Sequence, residues 1–249
     1  MRFPFLVFLL SFAGLALSAK MGTYLQKRLR WLDEEGRQDF SVIQASTLTL
    51  LGIIIGFSFS MAVSRYDQRK NYEEEEANAI GTEYLRLDLL PTSAAGDAKG
   101  LLRKYLNQRI GFYEARNPGR LEQINHDTSE IQAQLWPVVY RSAAGQSAAV
   151  ITLTVGGLND AFNAQGYAQA AWLNQIPVAA WIMMETVAFF GSLLIGFGMR
   201  RANALGLFVL PFVISTVFFL IADLDSPRRG LIRVHPQNLL SLAGSLNVR

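Results

Sequence analysis

A chain that must carry a long uncharged run and a long charged run in one helix has few folds open to it. Residues 46–64 (STLTLLGIIIGFSFSMAVS) contain no charge. At 1.5 Å per residue they span roughly 28 Å, the thickness of a bilayer core. Residues 65–90 are densely charged, yet nothing among them stops a helix before Pro91. The second part would carry the same rod a further ~39 Å into water. An apolar rod and a polar rod in one piece mean a membrane protein with an aqueous helical part.

Three further apolar segments complete the pattern. Residues 1–19 start with Arg2, continue apolar and end in small residues. They read either as a signal peptide cut after Ser18 or Ala19 or, preferably, as an uncleaved first membrane helix. Gly14 and Ser18, four apart, would admit a close neighbour. Residues 178–199 follow Pro177, which suits a first helical turn. Residues 205–224 form the fourth segment, with Pro211 as a kink. No strand alternation is visible. The expected fold is all-α: an integral membrane protein with four transmembrane helices in two pairs and an aqueous helical domain between the second and third. The expected divisions are residues 1–64, 65–176, 177–225 and a tail, 226–249.

Between these segments lie polar stretches. Residues 20–41 read as a solvated loop with a short amphipathic helix, and Tyr24 and Trp31 suit an interface. Residues 92–100 read as a turn-rich break. A helix over 101–116, with Leu102, Tyr105, Leu106 and Tyr113 on one side, ends at Pro118-Gly119. Another runs over 121–141, bent or broken at Trp136-Pro137. Residues 148–173 make a third, with Val150, Leu153, Leu158, Phe162 and Trp172 as its core. Arg200-Arg201 read as a tight loop.

Charge narrows the function. Residues 65–176 hold 11 Lys/Arg against 13 Asp/Glu, whereas the rest holds 12 against 7. The basic excess therefore sits beside the apolar segments, where anionic headgroups attract it. No basic stripe is interleaved with aromatics, so nucleic acid is not an expected partner. There is no cysteine, which excludes thiolate chemistry. His126 and His235 have no partner at ligand spacing, so no metal is expected. No cofactor motif or nucleophile–base set is present, and no catalytic residue is assigned. With the amino terminus inside, seven basic residues flank the membrane on each side (Arg2, Arg65, Arg69, Lys70, Arg228, Arg229 and Arg233 against Lys20, Lys27, Arg28, Arg30, Arg37, Arg200 and Arg201). The positive-inside rule is tied.

The second apolar segment offers the richest candidates. Gly52, Gly56, Ser60 and Ser64 form one i, i+4 row that suits close helix packing. Ile53, Phe57 and Met61 form the adjacent row, an apolar constriction if the helix lines a pore in an oligomer. Arg65 and Arg69 follow on one face at the membrane exit, with Glu73 facing Arg69. Ala77, Ile80, Tyr84 and Leu87 make a coiled-coil-like seam. Glu73, Glu74, Glu75 and Glu76 read as a solvated face or, more sharply, a divalent-cation site shared between subunits. Glu185 lies about eight residues into the third segment, where a carboxylate must be protonated, paired or wet. Either it serves a conduction path or it makes a structural hydrogen bond, with Thr186 and serines of other helices as partners. An intramembrane enzyme would have to pair it with Asp223 or Asp225. Those two aspartates end the fourth segment and could cap it or pair with Arg228, Arg229, Arg65 or Arg69.

Several blocks are family-like. GFSFSMA at 56–62, SRYDQR at 64–69, EANAIGT at 76–82 and YLR at 84–86 resemble the bacterial bestrophin-like domain family. So does the end, Asp223-Leu224-Asp225, Pro227, Gly230-Leu231-Ile232-Arg233-Val234 and Pro236. Ser226 and Arg228 depart from the pattern, which has a basic residue before its proline and an aromatic after it. The resemblance implies a relation to bestrophins, pentameric anion channels with four membrane helices, a cytoplasmic helical domain and a pore narrowed by apolar residues of the second helix. By that analogy Ile53, Phe57 and Met61 are the constriction, and Arg65 and Arg69 attract anions at the mouth. The expected partners are the bilayer, further copies of the chain and small inorganic ions. The expected location is the inner membrane, multi-pass, with the aqueous domain and both termini cytoplasmic. The competing reading is a non-conducting scaffold or sensor whose seam binds a partner.

Overall fold

The computed structural model describes residues 3–29, 34–199 and 204–247. Trp31 and the Arg200-Arg201 loop lie outside the described residues. Every regular element described is helical. In chain order they are α1 (Pro4–Leu29), α2 (Glu34–Arg86), a 3-10 turn (Leu87–Leu89), α3 (Thr92–Glu114), α4 (Pro118–Ala143), α5 (Ala148–Leu173), α6 (Val178–Gly198), α7 (Ala204–Leu224) and α8 (Gln237–Asn247). Four helical stretches are long and apolar enough to cross a membrane.

The rod read from the sequence is one helix. α2 has 53 residues, ~80 Å at 1.5 Å each, and Arg65 stands within it. It is longer than expected at its start, because the polar connector is itself mostly helical: α1 runs to Leu29 and α2 begins at Glu34. It stops at Arg86 in a 3-10 turn, shortly before the proline that disfavours helix in its predecessor.

The chain divides into two units. The first comprises residues 1–65 and 175–232. In it α1 packs along α6 and α7. The tightest approach is not at Gly14, where a Cβ would meet nothing within 4 Å. It lies further along α1. A Cβ on Gly196 would lie 1.9 Å from the Ala19 carbonyl oxygen, and one on Gly22 would lie 2.1 Å from that of Leu193. Glycine is required at both because backbone passes backbone. Ser18 is buried and donates to the Phe189 carbonyl at 2.7 Å. α2 enters this unit through Leu51, Ser58 and Ala62, all buried, and Leu48 and Leu51 lie against Gly191 of α6.

The second unit comprises residues 66–174 and 233–249. Its core takes Ala77, Ile80, Tyr84 and Leu87 from α2 and its turn, Leu102, Tyr105, Leu106 and Tyr113 from α3, and Leu158 and Trp172 from α5. Leu153, expected inside, is exposed. Residues 92–100 are not a break. They are the first turns of α3, with Pro91 at the cap position and Ala95 and Ala98 buried. Pro118 opens α4 rather than closing its predecessor, and the Asn117 side chain caps it by accepting from Gly119 N at 2.9 Å. Pro137 sits inside α4 without ending it. The tail contains α8, absent from the expectation, with Leu239 and Leu246 in the core.

Candidate functional site

α2 has two different sides in its membrane half. At 100° per residue, Leu51, Ser58 and Ala62 fall within a narrow arc, and all three are buried in the first unit. Ile53, Phe57, Ser60 and Ser64 fall on the opposite side, and all are exposed. Phe57 is 73% exposed, Ile53 51% and Met61 37%. Gly52 and Gly56 are exposed too, and a Cβ on either would meet nothing within 4 Å. The row of small residues is thus exposed along its length, and its two glycines meet nothing among the described residues of their own chain.

The buried arc continues past Ala62 at spacings of three and four through Arg65, Arg69, Glu73, Glu76, Ile80, Glu83 and Leu87. The charges of α2 therefore alternate into the interior, which the expected solvated face and basic mouth did not allow. Arg65 reaches Asp225 at 3.5 Å with 15% of its side chain exposed. Arg69 is 1% exposed. Neither guanidinium is offered to open water as a mouth would require, because each lies on the inward arc.

Of the four consecutive glutamates only Glu74 and Glu75 face solvent. Glu73 is buried and accepts from the backbone N–H groups of Asn238 (2.9 Å) and Leu239 (3.0 Å) and from Asn238 Nδ2 (2.7 Å). Its negative charge sits at the amino end of α8, where the helix dipole and free N–H groups favour it. Glu76 is fully buried, takes the Arg109 guanidinium, and accepts from the Tyr113 hydroxyl at 3.0 Å. Burial works against the Arg109 charge, but Glu76 outweighs it and the guanidinium pKa is raised. Burial, then Glu76, also pushes the Tyr113 hydroxyl up. These partners leave neither Glu73 nor Glu76 presented for the shared cation site envisaged above. The seam is likewise consumed by the unit's own core, which removes it as a partner surface.

The intramembrane acid has a partner from another helix. Ser11 of α1 donates to Glu185 of α6. Thr186 does not share it, since its hydroxyl donates to its own Ile182 carbonyl. Gly14, Leu15, Thr186 and Phe189 line a small cavity beside the carboxyl. The two aspartates at the end of α7, Asp223 within its last turn and Asp225 just past it, are engaged with backbone. Asp223 accepts from Leu231 N (2.7 Å) and Ile232 N (2.8 Å), and Asp225 from Ile176 N (3.0 Å). Gly230 closes that turn, for a Cβ there would lie 2.4 Å from the Asp223 carbonyl oxygen. Each acid of the supposed intramembrane set thus has its own partner.

One placement corrects the reading of the histidines. His126, Asp127 and Glu130, exposed or half-exposed on α4, bring one ligand atom each to within 4.8 Å of one another. The i, i+4 step from His126 to Glu130 was the available signal. Also unforeseen are the buried Arg109 and Glu83, whose charge reads locally as a solvent-facing position.

The fold recurs in known proteins. A bacterial bestrophin homologue from Klebsiella pneumoniae superposes with a TM-score of 0.66 at 16% identity, covering 96% of this chain and 98% of that one. Two single-residue variants of the Klebsiella homologue share the fold as well. One superposes with a TM-score of 0.63 at 17% identity, covering 98% of this chain and 96% of that one. The other gives 0.62 at 18% identity, with 93% and 98% covered. A comparison with curated proteins finds no match. The Bestrophin-like domain profile matches residues 31–239. That span runs from α2 through α7 to the start of α8, and this multi-pass membrane protein therefore belongs to the Bestrophin-like domain family.

Proposed function

We propose that the protein is an oligomeric anion channel of the inner membrane, its pore lined by α2. Ile53, Phe57 and Met61 form an apolar constriction, and Gly52, Gly56, Ser60 and Ser64 let neighbouring copies of α2 approach. The observation that carries this reading is the exposed side of α2 opposite Leu51, Ser58 and Ala62. It offers both small residues for close packing and a 73% exposed Phe57. Copies around a shared axis would turn that side inward, where an apolar ring can gate by dewetting. Five copies, a cytoplasmic aqueous domain and cytoplasmic termini follow from the family relation to bestrophins. The aspartates and Glu185 are structural here, since their partners are within the chain. The test is halide flux into liposomes containing the purified oligomer. Flux above empty vesicles, raised or deregulated by Phe57→Ala, supports the reading. A folded oligomer with no flux removes it in favour of a non-conducting scaffold.

A further inference from the structure

Glu83 is the one carboxylate of the aqueous half of α2 whose two oxygens are both buried without any hydrogen-bond donor among the described residues. The residue is fully buried. Its neighbour across the helix contact is Gly157 of α5. A Cβ there would lie 2.2 Å from Glu83 Oε2 and 2.6 Å from Arg86 Nη1. Glycine is thus what allows α5 to close over the carboxyl. Arg86, three residues on along α2, does not donate to it. Its Nη1 is turned to the Leu153 carbonyl at 3.5 Å and to the Asp160 carboxylate at 4.0 Å.

Such a place tolerates a neutral carboxyl far better than an ionised one, which needs donors or a counter-ion. A counter-ion is in reach but engaged elsewhere. We propose that Glu83 is a proton-binding site of the aqueous unit: with its proton it holds α5 against α2 at Gly157, and without it the carboxylate draws Arg86 away from Asp160 and loosens that contact. The charged groups bearing on it are Arg86 from α2 and Asp160 from α5. Asp88 of the 3-10 turn and Lys99 of α3 neutralise each other. Burial, eased by Arg86 and reinforced by Asp160, pushes the Glu83 carboxyl up to about 8. Proton exchange then falls where cellular pH varies.

Any effect of this site on conduction would rest on the channel reading, but the site itself does not. Difference infrared spectroscopy of the purified protein reads the protonated carboxyl directly. A carboxyl C=O band should disappear with a midpoint near pH 8 and be missing from Glu83→Gln. Asp160→Asn, at an exposed position, should lower the midpoint, and Arg86→Gln should raise it; both keep the test alive if Glu83→Gln fails to fold. Amide exchange in α5 around Gly157 should quicken across the same pH range in wild type more than solvent chemistry alone requires. No carboxyl band titrating above roughly pH 6, well beyond the ordinary carboxyl range, or a midpoint indifferent to Asp160 and Arg86, overturns the proposal. If liposomes show no flux while the band titrates as described, the channel reading fails and the proton site stands. If flux exists, its change across the pH range in which the band titrates should vanish in Glu83→Gln.

Discussion

Arg109 and Glu76 form an ion pair in which neither side chain is exposed to solvent. Tyr113 completes the carboxylate's partners, and the Arg109 guanidinium lies 4.4 Å over the Phe112 ring. Removing one partner strands the other as a buried charge, which costs ~3–5 kcal/mol, whereas replacing both by apolar residues can be close to neutral. Glu76→Ala should therefore lower the thermal unfolding midpoint far more than Glu76→Leu combined with Arg109→Met. Equal losses would mean the pair itself is the source of stability.

Glu73 should hold α8 in place. Glu73→Ala removes three accepted hydrogen bonds at the start of that helix, and loss of a side-chain cap costs ~1 kcal/mol or more. Limited proteolysis should then cut within residues 233–247 while α3 to α5 stay protected. Unchanged protection of α8 would assign its docking to Leu239 and Leu246 alone.

The helix crossing in the first unit turns on Gly196 and Gly22. Gly196→Ala puts a methyl into the Ala19 carbonyl, a backbone group that cannot swing aside. Overpacking of this kind costs ~1–3 kcal/mol. Gly14→Ala, with open space around it, should be neutral or slightly stabilising. Comparing melting in detergent of the two variants checks the contrast.

The fold was legible where apolar spacing decides it. Uncharged length located the membrane helices, and the 3.6-residue period found the face of α3 and, Leu153 apart, that of α5. Two kinds of feature escaped. Helix starts at Thr92 and Pro118 were hidden because proline reads locally as a breaker, whereas at a cap or first turn it is compatible with the helix that follows. The second kind was polar burial. Arg69, Glu73, Glu76 and Glu83 look like solvent-facing residues until the fold around them is known. The partners of Glu73 and Glu76, namely Asn238, Leu239 and Arg109, are 33 to 166 residues away in the chain. No local pattern announces them. For the same reason α8 was missed: its anchor is on α2. For the candidate site, the sequence yielded the two rows of α2 but not which side the chain itself covers.

Stability should depend on pH through Glu83. Its carboxyl ionises near 4.5 in the unfolded chain and near 8 in the folded one. Below pH 4.5 both states are protonated and no penalty arises. Between the two values the unfolded chain has lost the proton that the folded chain keeps, so stability falls as pH rises, by ~1.4 kcal/mol for each pH unit. Above 8 the effect levels off. Denaturant titrations across that window should show this fall in wild type and a flatter profile in Glu83→Gln.

Copies of α2 should meet through the side bearing Phe57. Because the chain has no cysteine, a single Phe57→Cys variant can be treated in membranes with a short bifunctional thiol reagent, with Leu10→Cys on α1, comparably exposed in the protomer, as the control. Copies linked through position 57 and not through position 10 are the predicted result. Linking at neither position, in a protein shown to be oligomeric, would mean that Phe57 faces lipid and would contradict a pore lined by α2.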